Sequence, residues 1–147
     1  MESDLIPGVT DVVGARGHDR VRKHTARKVN QQIDLETNAC IQKTIAGGRD
    51  AIVARVHELD REWDVDRALL TLFGVFGGAA FGLGQRFRGF RYLHAAQLGF
   101  MFIHATAGWC PPLPVLRRLG FRTAREIAAE RFALVEKLSG RSLVSPH

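Results

Sequence analysis

The strongest constraint in this chain is a pair of uncharged apolar runs separated by a short arginine-rich loop. Ala68 to Gly84 carries no charged residue, Gln85 to Arg91 carries three arginines, and Tyr92 to Leu116 is again uncharged. An α-helix needs about 17 to 25 apolar residues to cross the hydrocarbon core of a bilayer. Two such runs in succession read as a transmembrane hairpin. The expected fold class is all-α: a transmembrane helical hairpin over about 68–84 and 92–109, flanked by amphipathic cytoplasmic helices.

The charge distribution fits that plan. The 147 residues allow one domain, with 21 Lys+Arg against 15 Asp+Glu. Residues 1–67 are nearly balanced, so the net charge of +6 lies in the loop and the C-terminal tail. An excess placed there reads as anchoring to anionic headgroups and setting of topology. No aromatic stacking platform accompanies the arginines, so no nucleic-acid partner is expected. Cys40 and Cys110, the only cysteines, make no disulfide framework. Met1-Glu2-Ser3-Asp4 lacks the basic start and apolar core of a signal peptide, and the hairpin itself is expected to direct insertion.

Four segments follow. Residues 1–17, with Pro7 and three glycines, read as a disordered lead. Residues 18–64 read as a helical cytoplasmic extension: one helix from Asp19 to Ala46, an interruption at Gly47-Gly48, and a second from Asp50 to Asp64. Ile52, Val56, Leu59 and Trp63 make one stripe on that second helix, which lies on a membrane or packs on a partner or its own neighbours. Residues 65–123 hold the hairpin, with Pro111, Pro112 and Pro114 expected to end its second helix and lead into an irregular surface stretch. Residues 124–147 hold an amphipathic helix and tail. Thr123 and Glu126 have capping-box spacing, and Ile127, Leu134 and Leu138 share a face that also contains Arg131, which is expected to reach headgroups.

Within the first apolar run Gly74, Gly78 and Gly82 form a small-residue stripe, expected to pack against another helix within the hairpin or between copies. Tyr92 and Trp109 lie about 25 Å apart along a helix and suit two interfacial anchors, with Trp63 a third. Nine arginines flank the hairpin (Arg49, Arg55, Arg61, Arg67, Arg117, Arg118, Arg122, Arg125 and Arg131) against three in the loop. That count places both termini in the cytoplasm.

Gly108-Trp109-Cys110-Pro111-Pro112, the later Leu119-Gly120-Phe121-Arg122-Thr123, and Asp66-Arg67 at the hairpin entry carry a family resemblance. The chain from Asp64 to Thr123 resembles the YgaP-like inner-membrane domain, a small bacterial two-helix domain sometimes fused to a rhodanese. The resemblance implies a hairpin, an inner-membrane location and self-association. It supplies no catalytic residue.

Few groups carry chemistry. His94, Gln97 and His104 are polar residues inside the second span. The two histidines lie about 280° apart around the helix, so they do not converge on a metal. No metal and no cofactor is expected. Cys110, near Arg117 and Arg118, is a weak candidate for a stabilised thiolate. Asp60, Glu62, Asp64 and Asp66 read as a solvated entry face. The leading expectation is a non-enzymatic inner-membrane anchor or interaction module, whose partners are the bilayer, a second copy and a cytoplasmic protein. The alternatives are an accessory to sulfur or thiol metabolism with Cys110 as carrier, and a soluble helical oligomer.

Overall fold

The computed structural model describes residues 19–140. The lead over 1–17 therefore lies outside the described residues. Within them every regular element is a helix, as the apolar periodicity predicts.

The expected helix from Asp19 to Ala46 is two helices. Asp19 caps α1 (Arg20–Lys23) by accepting from the amides of Val21 and Arg22. The Thr25 hydroxyl then donates back to the Val21 carbonyl at 2.8 Å, and α2 (Arg27–Ala46) begins beyond it. Gly47-Gly48 interrupts α2 where the sequence places the break. Gly48 has φ +82°, a left-handed conformation that glycine adopts without a Cβ penalty. The following helix, α3 (Gly48–Leu59), stops short of the expected Asp64. Ile52 and Leu59 are buried, while Trp63 falls outside the helix and is exposed.

Asp64 caps α4 (Val65–Gly84), its carboxylate accepting from the Arg67 amide at 2.7 Å. The cap brings Asp66 and Arg67 into the first turn, ahead of the uncharged run. Helix α5 (Arg88–Ala107) likewise starts before Tyr92, because arginine is a good helix former and the two loop arginines join it. Gly108, at φ +77°, ends α5 before the prolines are reached. The prolines instead open α6 (Leu113–Arg118), with Pro112 at its N-cap and Pro114 in the first turn, where a missing N–H costs little. The stretch expected to be irregular and superficial is thus a short helix with Leu113 and Arg117 buried. Thr123 and Glu126 form the expected capping box at the start of α7 (Ala124–Leu138).

Helices α4 and α5 pack antiparallel, as the pairings of Gly84 with Arg91, Gly77 with Gln97 and Asp66 with His104 show. Among the described residues only α4 meets, by length and composition, the requirement for crossing a membrane. The expected two-span hairpin is reduced in that respect, since Arg88 and Arg91 enter α5, and His94, Gln97 and His104 interrupt its apolar run.

The remaining helices form one head. Helix α7 packs on both α2 and α3, so the segments expected to be separate N- and C-terminal appendages are a single unit. Its core is Ile41, Ile52, Leu59, Ile127 and Leu134. A second cluster of Val21, Val65, Leu69, Cys110 and Leu113 joins the head to the base of the hairpin. There the Val65 amide donates to the Arg122 carbonyl at 2.8 Å. Both flanks of the hairpin meet at one of its ends.

Candidate functional site: an ion-paired head on an exposed apolar hairpin

Two ionic centres lie one turn apart along α7. In the first, Arg117 of α6 is 1% exposed and donates in bidentate fashion to Glu126, at 2.6 and 2.9 Å. Arg22 of α1 also binds Glu126, and its guanidinium forks onto Asp34 of α2 at 2.8 and 3.1 Å. Arg117 donates further to the Asn30 side chain at 3.0 Å and the Phe121 carbonyl at 2.9 Å. In the second centre Glu130, 0% exposed, accepts from Arg122 and from Arg55 Nε at 2.8 Å. Arg122 also forks onto Glu62 at 2.7 and 2.5 Å, and donates to the Thr37 hydroxyl at 3.3 Å.

The electrostatics follow from burial and pairing. Burial alone would push the Glu126 carboxyl up. Hydrogen bonds and charge from Arg117, the Thr123 amide and Arg22 outweigh it, and the net direction is down. Glu130 is likewise lowered against its burial, by Arg55 and Arg122. Desolvation opposes charge on Arg22 and Arg122, yet their carboxylate partners raise both. Desolvated charges held in fork geometry fix one arrangement of helices, because removing any one partner leaves another buried and uncompensated.

The sequence reading gave these residues other roles. Arg55, Arg117, Arg122 and Arg131 were expected to mark the cytoplasmic flank, but each binds a carboxylate inside the head or across it. Arg131, expected at headgroups, donates to Asp60 at 2.8 Å. The acidic run is likewise divided among separate tasks: Asp60 and Glu62 pair with arginines, Asp64 caps α4, and Asp66 meets His104 Nε2 at 2.9 Å. A cleft of about 260 Å³ lined by Thr37, Cys40, Arg55, Glu62 and Arg122 opens beside the second centre. Its guanidinium groups are already occupied by carboxylates.

Cys110 is fully buried against the junction cluster. Desolvation pushes its thiol up, with a hydrogen bond from the Leu113 amide opposing and the negative charge of Asp66 reinforcing. Of the two arginines expected to favour a thiolate, Arg117 is engaged with Glu126 instead. The accessible sulfur that the carrier role requires is buried.

The hairpin presents the opposite surface. Leu70, Val75, Phe76, Phe81, Leu98 and Phe102 are all more than half exposed, and α5 buries no residue. On one side, Phe73, Phe76, Leu83, Phe90, Leu93 and Phe100 line an apolar groove of about 440 Å³. Gly74, Gly78 and Gly82 do not face α5: a Cβ on any of them would meet nothing within 4 Å. The close approach inside the hairpin is made by Gly77 and Gly84 instead, against Gln97 and Arg91.

The polar residues of α5 tie the hairpin together. Gln97 donates to the Phe73 carbonyl at 2.9 Å, and the His94 ring lies 5.7 Å from that of Phe81. His104 sits by Asp66 at the base, and the three residues do not converge. Trp63 and Trp109 flank that same base, where Arg67 stacks on Trp63 at 4.8 Å; Tyr92 stands exposed near the opposite tip. Arg20 fastens the base by donating to the Ala105 and Thr106 carbonyls at 2.7 and 3.1 Å. Among the described residues no three His, Cys, Asp or Glu side chains gather as a metal would require. Set beside known proteins, the chain matches no family model, no curated protein and no solved structure.

Proposed function

We propose that this protein is a membrane-anchored interaction module: the α4–α5 hairpin inserts into the bilayer and holds the ion-paired head at its surface. The observation that carries the reading is the continuous exposed apolar surface of α4 and α5, set beside a head whose own core is closed. An apolar face of that extent marks a lipid or protein contact. The aromatic and arginine residues at the hairpin base suit a headgroup layer. The likeness of Asp64–Thr123 to the YgaP-like domain favours the bacterial inner membrane, and the arginine count favours cytoplasmic termini. The outward glycine stripe supports self-association of two hairpins across that face.

Flotation tests this directly. The full chain should rise with phosphatidylcholine vesicles through a density gradient and stay with them after alkaline carbonate. A protein that stays soluble without detergent and sediments as an oligomer would overturn the anchor, and would make the exposed face a subunit contact.

A further inference from the structure

The arginines of this molecule form two populations. In the head Arg22, Arg55, Arg117, Arg122 and Arg131 each meet a carboxylate. At the far end of the hairpin Arg86, Arg88 and Arg91 fall within six residues and meet none among the described residues. From Arg67 to Arg125 the sequence contains no aspartate or glutamate at all. Helix α4 is 20 residues long, so its tip stands about 30 Å beyond the acids of the head.

The local placement sharpens the contrast. Arg88 and Arg91 occupy the first turn of α5, the positive end of its dipole, where cations are disfavoured and anions stabilised. Phe87 at the N-cap offers no side-chain acceptor to the amides there. The Arg91 stem is held in place, its Cγ 3.0 Å from where a Cβ on Gly84 would stand. Arg86 lies over the exposed Phe87 ring, 5.9 Å from its centre. Three cations thus stand together at the tip with no described carboxylate beside them, unlike the paired arginines of the head.

We propose that Arg86, Arg88 and Arg91 bind the phosphate groups of anionic phospholipids at the end of the hairpin remote from the head. The proposal rests on the membrane reading of α4 and α5. Guanidinium forks match phosphate oxygens in bidentate geometry. The hairpin length equals the thickness of a hydrocarbon core, about 30 Å, so a base in one headgroup layer puts the tip in the other. Exposed Leu83, Phe87, Tyr92 and Leu93 surround the arginines, a mixture suited to the boundary between acyl chains and headgroups.

The test uses the full chain in mixed phosphatidylcholine and phosphatidylglycerol micelles, with retained lipid counted by native mass spectrometry. Wild type retains phosphatidylglycerol preferentially. The R86Q/R88Q/R91Q variant loses that preference by roughly fivefold per arginine. An R27Q/R49Q/R61Q control, which removes the same charge from exposed head positions, keeps it. Equal preference in wild type and the tip variant overturns the proposal, and so does an equal loss in the control. Flotation with pure phosphatidylcholine vesicles separates the two readings. A wild type that does not float overturns both, whereas one that floats but shows no tip-dependent lipid preference overturns the tip alone.

Discussion

Head and hairpin solve opposite problems with the same chain. The head takes arginine and glutamate out of water, and stabilises them only because each guanidinium finds a carboxylate on another element. The hairpin leaves phenylalanine, leucine and valine uncovered along both helices, and keeps its few polar groups for its own two strands of helix. The pair teaches that one region closes around buried charge while the other leaves its apolar surface open, and that the junction around Val65, Leu69 and Cys110 is where the two meet.

Acid should break the comparison most completely. Glu126 and Glu130 both have lowered values in the folded state, so their contribution is fully present above the ordinary glutamate value of about 4.3. It is lost as pH falls through their lower folded values. Titration below about pH 4 should therefore open the head, seen as lost helix content and lost resistance to protease. Flotation of the hairpin should persist.

A single substitution does the same to one centre. Glu126→Ala strands Arg117, leaves Arg22 with Asp34 alone and removes the reciprocal cap, and should cost the head about 3 to 5 kcal/mol in denaturant unfolding. Arg117→Met should cost a similar amount. A double variant far less destabilised than the sum would establish that the two act as one pair.

The solvent contrast is sharpened by two leucines. Leu134→Ala empties a fully buried site and should cost about 2 to 5 kcal/mol. Leu98→Ala on the exposed α5 surface should change head stability by no more than about 0.5 kcal/mol. Similar losses at the two positions would mean that the hairpin face is covered. Smaller than the Leu134 loss, Gly108→Ala must adopt a left-handed φ of +77° with its Cβ 2.5 Å from that of Arg20. It should cost about 1 to 2 kcal/mol, measured as a lower unfolding midpoint with an unchanged helix content.

How much of this was legible follows from range. The hairpin announces itself in local windows, because charge is absent from Ala68–Gly84 and from Tyr92–Leu116. The Thr123–Glu126 cap is equally local and forms as expected, whereas of the two expected spans only α4, among the described residues, has the length and composition to cross a membrane. The head depends on partners as distant as Arg22 and Glu126, and no window contains both. One local sign was present: Glu126, Glu130 and Leu134 fall at i, i+4 and i+8, which puts two carboxylates on the face that carries a core leucine. Counting arginines for topology hid the same fact, since a composition count cannot distinguish a guanidinium at a lipid phosphate from one inside a protein.

The clasp between Arg20 and the carbonyls of Ala105 and Thr106 also fixes an order of events. As the chain emerges from the ribosome, Arg20, Arg22 and Arg55 are made long before the groups they bind. Until Ala105, Glu126 and Glu130 exist, the N-terminal half has no closed structure to adopt. Completion of the head thus waits for the chain to go out along α4 and return along α5. Closure of the head joins residues made before the hairpin to residues made after it, and holds the two ends of the hairpin together.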